Sequence, residues 1–200
     1  MLDFRQSTAL FGGSFDPVHS GHLHVAREVL RLRPEIKQFL FVPAHISPGK
    51  PEPSASAAQR LHFLELSLQG TPFQVWSYEL QRPGASYTAS TLEEAHKLGA
   101  KKENLYWAMG ADAYRDFETW HRKDRIRELT QLIVVERPGS PLRPHDPQDI
   151  LLPITVHAMS STLVRDALKR GEIIKNAFPP PLERHLNELI LKSQNPYAMH

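Results

Sequence analysis

Thr8-Ala9-Leu10-Phe11-Gly12-Gly13-Ser14-Phe15-Asp16-Pro17-Val18-His19-Ser20-Gly21-His22, continued by Leu23-His24-Val25-Ala26-Arg27-Glu28-Val29-Leu30, decides how this chain folds. The apolar run over residues 8–11 reads as a buried strand, and from Leu23 onward the apolar residues fall at helical spacing. A strand therefore ends in a glycine turn, and a helix opens at His19-Ser20-Gly21-His22. Glycines carry no Cβ, so an anion can approach their main-chain N–H groups closely. A helix start adds free N–H groups and the positive end of its dipole. Two histidines in that first turn can donate to phosphate oxygens. The combination predicts a polyphosphate site. It is neither a Walker loop, which needs Gly-Lys-Ser/Thr, nor a dinucleotide G-x-G-x-x-G.

Working outward, Gln38–Pro43 reads as a second strand stopped by proline, followed by a Pro-rich loop over residues 44–53. Ser56 and Gln59 have capping-box form, which predicts a helix to about residue 68. Residues 73–77 alternate as a third strand. Ser90 and Glu93 form another capping box, with Gly99 placed to end that helix. A fourth strand over 104–109 ends at Gly110-Ala111-Asp112, and a short helical stretch and Trp120 follow. A fifth strand, Gln131–Glu136, is closed by Arg137-Pro138-Gly139, and residues 138–149 read as an irregular loop. The last strand is expected over 150–156, broken by Pro153; a helix capped by Ser161 runs through Arg170; Pro181 opens a C-terminal helix. Residues 195–200 read as a loose tail.

Strands alternate with helices almost throughout, which predicts an α/β, Rossmann-like doubly wound fold, with a mainly parallel sheet and helices on both faces. Residues 1–200 are expected to form a single domain, with 160–194 its C-terminal helical part. In such a fold ligands bind beyond the carboxyl ends of the strands. Every polar motif here follows an expected strand, so all can converge on one crevice.

Composition narrows the chemistry. The chain has 200 residues, 40% hydrophobic and 23% charged, and a net charge of +2, too balanced to argue for nucleic acid as the main partner. It has no cysteine, so disulfides, zinc–thiolate sites and cysteine nucleophiles are excluded. Its eleven histidines show no transition-metal spacing, and no metal ligand is assigned from them. No apolar run reaches membrane-spanning length, and the first residues do not resemble a signal peptide, so no membrane partner and a cytoplasmic location are expected. A homo-oligomer stays open.

A second motif, Met159-Ser160-Ser161-Thr162-Leu163-Val164-Arg165, places Ser161 and Thr162 at an expected helix start with Arg165 one turn on. Taken alone it reads as an ordinary cap with a solvated arginine. Beside the first motif, phosphate binding is the better reading.

Residues 12–22 resemble the HxGH signature of the nucleotidylyltransferase superfamily, and residues 160–165 resemble its I-S-S-T-x-I-R element. Ser86-Tyr87-Thr88 with Thr91-Leu92, Gly110-Ala111-Asp112 with Phe117 and Thr119-Trp120, and the strand ending in Arg137-Pro138-Gly139 are similar to elements of the bacterial nicotinate-nucleotide adenylyltransferases. The resemblance implies transfer of an adenylyl group from ATP, with Mg²⁺, to nicotinate mononucleotide, giving nicotinate adenine dinucleotide and pyrophosphate in NAD biosynthesis. It implies that Gly12, Gly13, Ser14 and Phe15 offer main chain to the reacting phosphates. It implies that His19, His22, Ser161, Thr162 and Arg165 hold the triphosphate, with Lys50 adding charge, and that Asp112 takes a ribose hydroxyl. Ser14, Thr88, Trp120 and Arg137 would hold the mononucleotide: Trp120 by stacking on the pyridine ring, main-chain N–H groups near Thr88 and Trp120 on its carboxylate, Arg137 on its phosphate. Asp16 is read as bracing the turn.

The chain departs from the family where the loop after the second strand usually reads P-H-K or P-H-R. Here Pro48-Gly49-Lys50 lacks the histidine, and His45 is the expected substitute. Ser90 also replaces the aspartate of the S-Y-T element. The sequence leaves open a preference for nicotinamide mononucleotide or another phosphate acceptor, and a non-catalytic nucleotide sensor of the same fold.

Overall fold

The Gly12-Gly13 turn sits at the carboxyl end of the central strand of a six-stranded, all-parallel sheet. A computed structural model of the chain describes residues 2–136, 143–155 and 159–198. In chain order the strands are β1 (Thr8–Gly13), β2 (Gln38–Pro43), β3 (Gln74–Val75), β4 (Leu105–Gly110), β5 (Gln131–Glu136) and β6 (Ile150–Pro153). Their spatial order is β3-β2-β1-β4-β5-β6. The direction of winding therefore reverses between β1 and β4, and a crevice opens there beyond the strand ends. This is the doubly wound, Rossmann-like arrangement expected.

Alternation along the buried strands sorts the helices into two layers. Phe11, Phe39, Phe41 and Ala108 face one side, where they pack with α1 (Ser20–Leu32), α2 (Ala57–Leu68), α6 (Ser161–Lys169) and α7 (Pro180–Leu191). Leu10, Leu40, Trp107 and Val134 face the other, against α3 (Thr88–Lys97), α4 (Ala111–Arg115) and α5 (Lys123–Leu129). The final two helices return to the first face, so the sequence motif at 160–165 comes back beside β1.

Several boundaries differ from expectation for identifiable reasons. The helix expected to start at the Ser90 box starts at Thr88, because the N–H groups of Ser90 and Thr91 both turn back to the Tyr87 carbonyl. Of the box residues, Glu93 is used elsewhere, pairing with Arg122 and Arg125, and the neighbouring Thr91 hydroxyl donates to Glu79. Ser160, not Ser161, caps α6 by accepting the Leu163 N–H at 3.2 Å. The third strand is two residues long rather than five. The last strand ends at Pro153, whose missing N–H ends the ladder; Val156 lies outside the described residues. The tail is not loose over 195–198. Asn195 donates to the Leu168 carbonyl at 2.6 Å, and Tyr197 is buried against the first core.

One buried cation ties the β1 and β2 ends together. Arg60 of α2 is 1% exposed, and its guanidinium donates to the carbonyls of Ser14 (2.8 Å), Ala44 (2.6 Å), His45 (3.0 Å) and Ala55 (3.3 Å). Nearby, Asp16 accepts the N–H groups of Ser54 at 2.8 Å and Ala55 at 3.0 Å. Replacing Arg60 with methionine keeps much of the volume and strands those carbonyls. Arg60→Met is expected to cost about 3 kcal/mol, from the loss of charge-assisted bonds to buried acceptors. Urea unfolding of the variant checks this, and a midpoint equal to wild type would count against the clamp.

Candidate active site

The crevice at the β1/β4 switch holds a cavity of about 610 Å³. Its lining includes Gly12 and Gly13 from β1, Gly110 from the end of β4, and Asp112, Ala113 and Asp116 from α4 and the residue beyond it. Trp107 and Met109 also line it, and the Trp107 indole lies against Gly12. The loop after β2 contributes Ser47, Pro48, Gly49 and Lys50, while Glu79, Ser86, Tyr87 and Thr88 close the far wall. Trp120 and His121 complete the opposite side.

The N-terminus of α3 opens into this cavity at Thr88. Its N-cap, Tyr87, makes no side-chain cap bond, and its first turn carries no acid. The first N–H groups of that helix are therefore donors without a helical partner. The segment is held by Ser86, whose hydroxyl accepts the His45 N–H at 2.9 Å and also bonds Glu79. Glu79 is buried, accepts from Thr91, and is pushed up from the ordinary carboxylate range by burial. On the other side, the Trp120 N–H donates to the Phe117 carbonyl at 2.9 Å, so it is not spare for a ligand. The ring of Trp120 is half-buried and packs 5.5 Å from Phe117. Asp112 is exposed and pairs with Arg115 at 2.8 Å.

The two histidines do not line this cavity. They sit across the β1 end, on the face with α1 and α6. His19 is the N-cap of α1, 5% exposed, and its Nδ1 is sealed without a hydrogen-bond partner. His22 Nδ1 accepts the His19 main-chain N–H at 3.2 Å, which leaves the proton of the neutral ring on Nε2, free to donate. The rings overlap at 3.8 Å. A Cβ at Gly21 would lie 3.0 Å from the His19 ring, so a side chain there would have to displace that ring. Burial pulls His19 down to about 4. Burial, with the adjacent His19 ring and Lys50 as further causes, pulls His22 well below 6.5. Both are neutral at pH 7.

The second motif reaches the same turn. Ser161 donates to the Pro17 carbonyl at 3.3 Å, and Arg165 donates to the Asp16 carbonyl at 2.6 Å and to Thr162 Oγ1 at 3.2 Å. The expected residues thus fall into two groups on the two flanks of the turn after β1. Gly12, Gly13, Lys50, Thr88, Asp112 and Trp120 belong to the cavity. His19, His22, Ser161, Thr162 and Arg165 gather on the other flank of that turn, towards α1 and α6.

Ser14 and Phe15 lie on the turn itself. The Ser14 hydroxyl bonds that of Ser47 at 2.9 Å, and the Phe15 ring is buried against Phe11, Phe41 and His22. His45, the expected replacement for the missing loop histidine, does not line the cavity, and its Nδ1 is buried without a partner. Gly49 has φ +72°, a left-handed conformation that a histidine would adopt only with strain. Arg137 lies outside the described residues.

Sequence reading missed Arg60, Glu79, Trp107 and His121. An arginine in an amphipathic helix looks solvated, and nothing in its own segment shows that it points at four carbonyls. Trp107 could have been found: alternation along β4 puts it on the same face as Met109, one turn of the pleat before the Gly110 end.

The chain matches the cytidylyltransferase-like family over residues 10–167. It is 34% identical to a nicotinate-nucleotide adenylyltransferase of Salmonella typhi, over 90% of this chain and 95% of that protein. It is equally similar to a probable nicotinate-nucleotide adenylyltransferase of Citrobacter koseri, with the same coverage. Among solved structures, the fold resembles the Plasmodium falciparum nicotinic acid mononucleotide adenylyltransferase complexed with APC. That match has a TM-score of 0.72 and 18% identity and covers 96% of this chain and 97% of that one. The same enzyme complexed with NaAD gives a TM-score of 0.70 at 17% identity, covering 96% and 97%.

The neutral histidine pair makes stability depend on pH. The His19 pKa lies below its unfolded value, so the unfolded chain binds the extra proton first. The resulting stability is complete above pH 6.5 and is lost as pH falls towards about 4. Thermal melts across that window are expected to show the fall, with a shallower slope in His19→Asn. An identical slope in the variant would show that His19 titrates normally.

Proposed function

The chain belongs to the cytidylyltransferase-like family and, within it, to the nicotinate-nucleotide adenylyltransferases, and from that premise we propose that its two ligand sides carry adenylyl transfer from ATP to nicotinate mononucleotide. The products are nicotinate adenine dinucleotide and pyrophosphate, a step of NAD biosynthesis. The observation that carries the assignment of sides is that α1 and α3, both without an acid in the first turn, begin on opposite flanks of the β1 end. One flank suits a triphosphate and the other an anionic pyridine.

The acceptor lies in the cavity. Its ring stacks on Trp120, and its carboxylate meets the first N–H groups of α3 at Thr88. ATP places its phosphates towards His19, His22, Thr162 and Arg165, and its ribose reaches across the β1 end to Asp112 in the cavity wall. An oxygen of the mononucleotide phosphate attacks the α-phosphorus over Gly13 and Ser14. The bond from the α-phosphorus to the bridging oxygen breaks, and pyrophosphate departs with that oxygen and its electrons. A phosphate nucleophile is ionised at neutral pH, so no side-chain base is needed. The residues act by holding the two phosphates in line and by donating to the charge that gathers on the leaving group. His22 donates from Nε2 while neutral. Lys50, at the cavity rim, supplies a fixed positive charge between the two sides.

ATP enters as its Mg²⁺ complex. Among the described residues no group of three or more His, Asp or Glu side chains could hold a metal ion. In this reading the ion travels on the phosphates of its substrate. No helix among the described residues is long and apolar enough to cross a membrane.

Pyrophosphate release with MgATP, offering nicotinate and nicotinamide mononucleotides in parallel, tests the assignment. Turnover is expected with the acid and little with the amide; equal rates would remove the carboxylate role of α3. His19→Ala is expected to lower kcat about a hundredfold, the scale of one lost transition-state donor. Trp120→Ala is expected to raise the mononucleotide KM about tenfold, the scale of one stacking contact, and an unchanged KM would make that ring a core residue only.

A further inference from the structure

We infer that Glu79, buried in the cavity wall, is a positioning residue for the acceptor: its carboxyl pins the first turn of α3 through Thr91, and so keeps the N–H groups at that helix start aimed at the acceptor's carboxylate. This rests on the assignment of that carboxylate to the α3 N-terminus, and it adds the residue that makes the helix start selective.

The start of α3 has little of its own to hold it. Tyr87, the N-cap, makes no side-chain cap bond, and no acid stands in the first turn to meet the helix dipole. The chain before it is tied to the loop after β2. The Ser86 N–H donates to the Ile46 carbonyl at 2.8 Å, and Ser86 Oγ accepts the His45 N–H at 2.9 Å. Those bonds stop short of the helix itself. Within its first turn, Thr91 Oγ1 donates to Glu79 Oε1 at 2.5 Å, with Thr91 1% and Glu79 6% exposed. A bond sealed from water in this way fixes the direction of the groups it joins as well as their distance.

Glu79 stands on a platform that suits a strut. It follows β3 on a tight turn, where the Arg82 N–H returns to the Glu79 carbonyl at 3.2 Å. Rings pack that turn: Tyr78 stacks on Trp76 at 5.2 Å, and the Arg82 guanidinium covers the Tyr78 ring at 3.8 Å. Glu79 and Thr88 both line the mononucleotide cavity. An ionised carboxylate there would repel the anion that the helix start receives. The partner of Glu79 is a hydroxyl, and burial pushes the carboxyl up from its ordinary range, towards the neutral acid. A neutral acid holds Thr91 without setting negative charge beside the acceptor. Arg165 and Thr162, assigned to the ATP phosphates, lie on the other flank of the β1 end.

Thr91→Val removes the hydroxyl and keeps the shape. The KM for nicotinate mononucleotide is expected to rise about tenfold, the scale of one hydrogen bond to a charged group. The ATP KM is expected to stay, and the preference for the acid over the amide, read as the ratio of kcat/KM values, to fall by the same factor. Thr91→Ser restores the hydroxyl, and Glu79→Gln keeps an oxygen that accepts from Thr91; both are expected to retain the preference. A bond that only stabilised the fold would lower the melting temperature and leave that ratio alone. If Thr91→Val does not fold, Glu79→Leu combined with Thr91→Val replaces the bond by an apolar contact, and the same fall in the ratio is expected. Wild type is read first. Equal turnover with the two mononucleotides there removes the carboxylate role of α3, and the inference with it. A wild type that prefers the acid, beside a folded Thr91→Val that keeps the preference, overturns the role of Glu79 alone, as does loss of the preference in Glu79→Gln.

Discussion

The Arg60 guanidinium is the constraint on which the site depends. Main-chain carbonyls at the ends of two parallel strands point into a region where water cannot reach them, and such groups are costly unless paired. Arg60 collects three of them, from Ser14, Ala44 and His45, together with the Ala55 carbonyl ahead of its own helix. That choice fixes the glycine turn after β1 relative to the loop after β2. The loop carries Lys50 to the cavity rim, and the turn presents His19 to the other side. A cation buried in this way is itself expensive; Asp16 close by offsets part of that cost.

From this clamp follows the division of the site. Strand alternation sends Gly12 towards the face with Trp107, and Phe11 and Phe15 towards the face with α1 and α6. The cavity and the histidine pair are therefore on different flanks of one strand end, and two ligands approaching from the two flanks would meet over Gly13 and Ser14. A doubly wound sheet places that meeting point where the winding reverses. The electrostatics of the flanks differ too. The cavity wall carries Glu79, Asp112 and Asp116 against Lys50, so an anion placed there would be met mainly by the α3 N-terminus. The other flank has neutral imidazoles and an arginine held by the turn.

The neutrality of His19 and His22 changes how their role is understood. Two imidazolium rings overlapping at 3.8 Å would repel strongly out of water. The fold resolves this by leaving both uncharged and by fixing the His22 proton on Nε2 through its bond to the His19 N–H. In the proposed reaction the pair would act through directional donors rather than stored positive charge, and the full charge would come from Arg165 and Lys50.

The sequence by itself determined the strand order of events: β1 into a glycine turn, the helix at His19, the strand ending at Gly110, and the helix near Ser161. These are local properties, since apolar periodicity, caps and glycines act over a few residues. It also named most of the side chains that gather at the strand ends. What it could not contain is which partner each polar group would choose. Ser90 looked like a cap until Tyr87 took the backbone bonds; residues 195–198 looked loose until Asn195 met Leu168; Arg60 looked solvated until the carbonyls it serves were folded around it. The Tyr87 bonds are local, but the other two outcomes were decided only by tertiary structure: Asn195 meets Leu168 27 positions away, Arg60 reaches His45, Ala44 and Ser14 at 15 to 46, and Arg165 reaches Asp16 at 149, and the energy of such bonds depends on burial that no single segment creates.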